Sequence, residues 1–270
     1  MSHPIGIGIL GAAGRMGRML IQAVVEQPGA QLAAACDRPD APECGQDAGT
    51  LAGVGSLGVP LGRSPRDLFA ASDVVIDFTV AAATRDHADL ALASATPLVI
   101  GTTGVDMATR QHLEHIARSL PLVYAPNYSV GVNLMFKIAA EVARVLNDGY
   151  DIEILETHHR HKVDAPSGTA LRLGEVIADA VGRNLSEVAV YGREGHTGPR
   201  NPHTIGFATM RAGDAVGEHT ALFAGLGERL EITHRASSRM TFATGAVRAA
   251  MWVAQKPAGL YDMRDILGFR

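Results

Sequence analysis

The sequence predicts an α/β chain: an N-terminal parallel sheet covered by helices, then a second α+β domain built on a mixed/antiparallel sheet. Three observations predict it. Short runs rich in Val, Ile and Leu alternate with helix-spaced segments through the first half, the pattern of strands buried on both faces. That alternation stops near residue 130. Beyond it, several runs alternate apolar and polar residues and are separated in places only by short glycine-containing turns, as in strands with one covered face.

Taken in order, "IGIGIL" (5–10) is the first strand and "RMGRMLIQAVVEQ" (15–27) the first helix, with Met16, Leu20, Ala23 and Val24 at helical spacing. "GAQLAAACD" (29–37), "DVVIDFT" (73–79), "PLVIGTTG" (97–104) and "PLVYAPN" (121–127) read as further strands, with helices through 84–95 and near 106–118. A long amphipathic helix follows over 130–146, with Leu134, Ile138, Val142 and Val145 on its apolar face. "DIEILETHH" (151–159) is a half-buried strand and 170–181 a helix. The runs at 187–192, 204–212, 218–225 and 228–236 suit antiparallel strands, and 237–256 is helical again. "REGHTGPRNPH" (193–203) reads as a polar loop: a lid, a subunit-bridging arm or a plain mobile connection. These elements divide into a first domain over 1–128, with 238–270 returning to pack on it, and a second domain over 129–237.

Composition narrows the function. The 270 residues are 47% hydrophobic and 19% charged, with a formal net charge of −4. No basic excess is available to neutralise nucleic-acid phosphates. Two cysteines, Cys36 and Cys44, are too few for a disulfide scaffold. With no signal peptide and no apolar run of membrane length, a cytoplasmic protein without membrane attachment is expected.

The first strand–helix junction, "GAAGRMG", sets Gly11, Gly14 and Gly17 three apart. Glycines at such a turn let backbone N–H groups approach a pyrophosphate, whose charge the helix N-terminus favours. The spacing differs from the usual G-x-G-x-x-G, but the turn follows a strand and opens a helix. Asp37 closes the second strand about 20 residues further on, where a carboxylate meets the adenosine ribose. The N-terminal sheet is therefore predicted to be Rossmann-type. Arg38 beside Asp37 could pair with the 2′-phosphate of NADP or stand as a solvated surface charge. "GTTG" (101–104) and "APNYS" (125–129) follow buried strands and could lie along the nicotinamide half of a cofactor. Alternatively, the hydroxyls of Thr102 and Thr103 cap the next helix.

"ETHHRHKVDAPSGTA" (156–170) packs His158, His159, Arg160, His161 and Lys162 into one strand end and loop. The turn after it opens a helix, so backbone N–H groups near Gly168 and Thr169 offer an anion site. A metal centre is disfavoured by the interleaved Arg160 and Lys162. A merely solvated basic strand end leaves the proton donors beside an anion-binding turn unexplained. Acid-catalysed reduction of a small anionic substrate accounts for both.

These stretches, with "GAAGRMGR", "NYSVGVN", "REGHTG", "TIGFATMRAGD", "GEHTA" and "ERLEITHRASSR", resemble the bacterial 4-hydroxy-tetrahydrodipicolinate reductases, formerly dihydrodipicolinate reductases. The resemblance spans nearly the whole chain. It implies reduction of a cyclic imine dicarboxylate with NADH or NADPH on the route to diaminopimelate and lysine, in a cytoplasmic homotetramer. It makes the first domain dinucleotide-binding and the second a substrate-binding and oligomerisation domain. It assigns His158 as acid/base and Lys162 as a proton donor, with His159, Gly168 and Thr169 on the substrate carboxylates. It puts the cofactor against Gly11, Ala12, Ala13, Gly14, Arg15 and Met16, then Asp37 and Arg38. It also puts Gly101, Thr102 and Thr103, and Ala125, Pro126, Asn127 and Tyr128, on the cofactor. Asp37 departs from the family, where Glu is common; Pro126 and Tyr128 are further variations. Closure of the domains is expected to exclude water. Other Rossmann-fold amino-acid dehydrogenases and a non-catalytic NAD(H)-sensing regulator are the alternative functions.

Overall fold

A computed structural model describes residues 3–269; Met1, Ser2 and Arg270, which the domain boundaries above include, lie outside the described residues. The chain divides into two compact units: the chain up to Val130 together with the segment from Arg239, and Gly131–Ser238. The first unit runs through β1 (Ile5–Leu10), α1 (Arg15–Glu26), β2 (Ala30–Cys36), α2 (Ala48–Ala52), β3 (Leu61–Gly62), α3 (Pro65–Ala70), β4 (Val74–Asp77), α4 (Ala81–Ser94), β5 (Leu98–Ile100), α5 (Met107–Ile116) and β6 (Pro121–Tyr124). The second holds α6 (Val130–Val145), β7 (Asp151–His158), α7 (Gly168–Ala180), α8 (Leu185–Val188), β8 (Ala189–Val190), β9 (Ile205–Arg211), β10 (Gly217–Ala224) and β11 (Arg229–Ala236). The chain returns to the first unit in α9 (Met240–Val253), β12 (Gly259–Tyr261) and α10 (Met263–Ile266).

The first unit is a Rossmann-like sheet of seven parallel strands in the order β12-β6-β5-β4-β1-β2-β3. Its strands are apolar along both faces because both are covered. Leu20, Ile21 and Val24 of α1 join Ala246, Val247 and Ala250 of α9 in one core. On the other face Phe69, Ala88, Leu113 and Ile116 form the second core. The short elements α2, β3, α3 and β12 were not foreseen: two or three strand residues, or one or two helical turns, hold too few positions to show a period.

The second unit is a mixed sheet in the order β11-β10-β7-β9-β8. One face is covered, and β10 accordingly alternates buried and half-buried residues along its length. The apolar side chains of α6 and α7, including Ala139, Leu173 and Ile177, pack on Ile154, Phe207 and Phe223.

Three expectations need correction here. Strands β8 and β9 are not antiparallel: β9 runs parallel to both β7 and β8. Alternation reports which face is buried but not strand direction, and the 193–203 loop carries the chain back to start β9. The run at 187–192 is a strand only at Ala189–Val190. Asn184 caps the preceding residues into α8, its side chain accepting the Ser186 N–H at 3.1 Å. Finally, α6 does not bury the Leu134–Ile138–Val145 face. Its buried residues are Val132, Met135, Ala139 and Ala143, while Leu134, Ile138 and Val145 are exposed. Small alanines let the helix approach the sheet closely, so packing chose the smaller face.

Candidate functional site

In the first unit, β1, β2 and β4 end where the strand order reverses, the place where open parallel sheets bind ligands. A cavity of about 610 Å³ opens there, lined by Gly11, Ala13, Gly14, Asp37 and Arg38, with Phe78, Thr79 and His87 opposite. The turn is compact because Gly11 adopts φ +69° and Gly17 has no Cβ. A Cβ at Gly17 would lie 2.2 Å from the Gly11 carbonyl oxygen. No side chain caps α1 at Gly14, and no acidic residue occupies its first turn. Its leading N–H groups are therefore left to a ligand or water. Asp37 closes β2 and braces the turn, accepting the Ala13 N–H at 2.9 Å and the Arg38 N–H at 2.8 Å. The exposed Arg38 meets Asp40 at 3.2 Å, a pairing of little energy in solvent.

Ala12, Arg15 and Met16 belong to the same turn but do not line the cavity, and neither do residues 101–103 or 125–128. Thr103 and Pro126 are exposed, Ala125 is buried, and Asn127 accepts the Ser129 N–H at 2.9 Å. Gly101 is held by packing: a Cβ there would fall on the Phe78 ring. Neither threonine caps α5, which Asp106 caps through the Thr109 N–H at 2.8 Å. The Thr102 hydroxyl instead reaches Asp77 at 3.3 Å. The Tyr128 ring faces inward. It is wholly buried against Phe78, and its hydroxyl donates to the Ile100 carbonyl at 2.8 Å. Burial pushes this phenol well above its ordinary pKa.

Sequence reasoning passed over the buried Asp77. It accepts from the Thr79 N–H at 2.8 Å and pairs with His87 Nδ1 at 2.8 Å, fixing the imidazole that lines the cavity.

In the second unit the period of two along β7 puts Ile152, Ile154, Glu156 and His158 on one face, all buried. The apolar strip of the core thus ends in a carboxylate and an imidazole. Opposite, β10 sets His219 beside Glu156 and Ala221 beside Ile154. From β9, Arg211 stands beside His158. Glu156 is 2% exposed and satisfied on every side. It takes both arms of the Arg211 guanidinium at 3.0 Å, the Ser167 N–H at 3.0 Å and His158 Nδ1. Burial alone would raise its pKa, but these hydrogen bonds outweigh it and hold the carboxyl below its usual range.

An ionised Glu156 only accepts, so His158 carries its proton on Nδ1 and leaves Nε2 as the working atom. Burial lowers the His158 pKa, and Glu156 offsets only part of that. Gly217 leaves room beside Nε2, which lies 3.0 Å from where a Cβ would stand. His219 packs edge-on to His158, with ring centroids 5.1 Å apart, and its Nε2 meets the Ser167 hydroxyl at 3.0 Å. Burial, then His158, drive its pKa down to about 3.

His159 lies just past the strand rather than in it, and its Nδ1 is shut from solvent with no hydrogen-bond partner among the described residues. Lys162 is half-buried, its ammonium held by both oxygens of Asp164 at 2.7 and 2.8 Å. Ser167 caps α7 through the Ala170 N–H at 3.1 Å. Gly168 and Thr169 open that helix. A Cβ at Gly168 would enter open space. Glu156, His158 and His219 bring donor atoms within 4.8 Å of one another. The Arg211 charge on both Glu156 oxygens disfavours a cation among them. Glu156, Ser167, Arg211 and His219 were all missed as site residues. The alternation of β7 was the one local signal, since it carries Glu156 onto the face of His158.

Arg193 and Arg200 of the 193–203 loop both pair with Glu153 of β7, at 2.9 Å in each case. The loop is therefore tied to its own sheet.

Comparison with known proteins gives one answer over both units. Residues 5–128 match the family model "Dihydrodipicolinate reductase, N-terminus" and 131–267 match "Dihydrodipicolinate reductase, C-terminus". The 4-hydroxy-tetrahydrodipicolinate reductase of Magnetococcus marinus is 62% identical over 98% of this chain and 99% of its own. That of Halorhodospira halophila is 58% identical over 98% and 99%. Among solved structures, a dipicolinate-bound dihydrodipicolinate reductase from a Paenisporosarcina species shares the fold. Its TM-score is 0.73 at 24% identity, covering 96% of this chain and 97% of that one.

Proposed function

The chain belongs to the dihydrodipicolinate reductase family, and from that premise we propose how its residues divide the reaction. It is an NAD(P)H-dependent oxidoreductase of diaminopimelate and lysine biosynthesis. It reduces 4-hydroxy-tetrahydrodipicolinate, by way of dihydrodipicolinate, to tetrahydrodipicolinate.

A nicotinamide dinucleotide suits the first unit's cavity, and when bound it supplies the hydride. Three observations support the fit: an uncapped helix N-terminus, a turn that a Cβ at Gly17 would fill, and a carboxylate at the end of β2. Gly11–Met16 hold the pyrophosphate and Asp37 the adenosine ribose. Arg38 donates to the 2′-phosphate of NADPH, while Asp37 suits the free hydroxyl of NADH, so both cofactors serve. Residues 101–103 and 125–128 meet the nicotinamide half through main chain and Thr103, not through the Tyr128 ring.

In the second unit, His159, Lys162 and the Gly168–Thr169 turn bind the two carboxylates. Water leaves the hydroxylated ring to give a conjugated imine. Hydride then adds to the ring, and the resulting enamine carbon takes a proton from His158 Nε2. The observation that carries this reading is the buried His158 with Nδ1 committed to Glu156. Its pKa is low without substrate; a dianion alongside raises it, so the imidazole charges as substrate arrives. Lys162 is a second donor once the substrate competes with Asp164 for its ammonium. Assembly as a homotetramer and a cytoplasmic location belong to the same proposal. No helix among the described residues is long and apolar enough to cross a membrane.

The test mixes purified protein with NADH or NADPH and freshly generated substrate, following the reduced nicotinamide. Oxidation only when substrate is present is expected. An NAD(H)-sensing regulator would bind NADH without consuming it, and another amino-acid dehydrogenase would turn over a different substrate in a panel.

A further inference from the structure

We propose that Glu156 is the positioning residue of the proton donor: its carboxylate, balanced by Arg211, sets both the tautomer and the proton affinity of His158. The inference rests on the reading of His158 as the donor.

The carboxylate stands where the pattern of β7 calls for an apolar side chain, directly after Ile152 and Ile154 on the covered face. Burying a charge there is costly unless it is fully paired. The structure pairs it from three elements. Arg211 of β9 grips both oxygens, Ser167 donates its N–H from the turn before α7, and His158 lies next along the same face. The Glu156 contact also fastens the imidazole to Ser167, the residue that leads directly into Gly168 and Thr169. One carboxylate thereby fixes the donor's orientation relative to the carboxylate-binding turn.

The charges facing His158 come from every neighbouring element. Glu156 on its own strand raises its proton affinity, while Lys162 of the loop and Arg211 of β9 lower it, and burial lowers it most. His219 of β10 stays neutral at working pH because burial holds its pKa near 3. With the Ser167 hydroxyl on its Nε2, it adds no competing proton carrier. His234 of β11 acts on His219 rather than on the donor.

A merely structural clamp between β7 and β9 would make the same contacts, so the test must read protonation. In the kcat–pH profile, the limb that falls as pH rises reports loss of the donor proton. Glu156→Gln keeps the size and removes the charge. It should lower kcat at neutral pH by about 10–100-fold, the size of loss seen when the partner orienting a metal-bound imidazole is removed, and move the limb to lower pH. Arg211→Gln removes the opposing cation and should move the limb to higher pH. Arg211→Lys should return it toward the wild-type position.

Calorimetric NADH binding, which reads the other unit, and a thermal melt report folding. If Glu156→Gln does not fold, the displacement in Arg211→Gln decides alone. Displacements of the same sign, or a lower kcat with an unmoved limb, would overturn the proposal. His158→Gln run alongside keeps the two readings apart. If that variant retains the limb, the donor is another residue, whatever the Glu156 variant does.

Discussion

Around Gly11–Met16 the groups offered to a ligand are backbone N–H donors at an uncapped helix end, and the nearby Asp37 carboxylate is already braced on main chain. Around His158 the groups are side chains: a buried carboxylate, an arginine fork, two imidazoles and a lysine. The first region works by close approach, so it is sensitive to an added Cβ and tolerant of many side-chain changes. The second works by protonation and charge, so it is sensitive to changes that hardly alter volume. Substitutions that keep volume but remove charge, and substitutions that add volume without charge, should therefore separate the two regions.

The largest effect is expected from His158→Gln. It keeps size and hydrogen bonding yet removes the donor, so kcat should fall by about 10²–10⁴ with KM changed much less. NADH binding measured by calorimetry should stay at the wild-type value. A near-normal kcat would break the division of labour. The converse experiment is Gly17→Ala. Its Cβ would meet the Gly11 oxygen at 2.2 Å and Ala12 Cα at 2.5 Å. Overpacking of this kind costs about 1–3 kcal/mol. We expect a lower melting temperature and NADH affinity weakened by about tenfold or more, while a dicarboxylate inhibitor still binds the second unit. Normal NADH affinity would mean the turn is not the pyrophosphate site.

A smaller effect tests the rim of the cavity. Arg38→Ala should cost NADPH about ten- to hundredfold in kcat/KM, the worth of one charge-assisted hydrogen bond, and leave NADH almost unchanged. Equal losses with both cofactors would remove Arg38 from the 2′-phosphate.

The smallest effect concerns stability. His219 titrates near 3 when folded and near 6.5 when unfolded. Between those values the unfolded chain binds the extra proton, so the folded state loses stability as pH falls from 6.5 toward 3. The loss is at most about 1.4 kcal/mol per pH unit. His219→Gln should flatten that acid slope in denaturant titrations at pH 7 and pH 5, and parallel slopes would contradict it.

Much of this was open to reading along the chain. The strands of the parallel sheet show as apolar runs, and the turn at Gly11–Gly17 shows its glycines in consecutive residues. The basic stretch from His158 to Lys162 is contiguous, so its chemistry was visible as a block. Glu156 lies two residues before it and went unread, because an acid beside five basic or titratable residues looks like a surface charge. Its partners are far off in sequence: Arg211 is 55 residues away and Ser167 is 11. On α6 the spacing of Leu134, Ile138, Val142 and Val145 predicts the helix, but its buried face follows Ala139 and Ala143 rather than Leu134 and Ile138.

By itself, then, the sequence determined what local forces encode: where the longer strands and helices fall, which turns need glycine, and which loop gathers cations. Hydrophobic period, turn chemistry and caps act within a few residues, so they are written in order along the chain. Tertiary structure alone decided the direction of β9, the face on which α6 packs, and the neutral state of His219. It also decided the pairing of Glu156 with both Arg211 and His158. Those depend on sheet register and on how far burial strips water from a charge, and both arise only when distant segments meet.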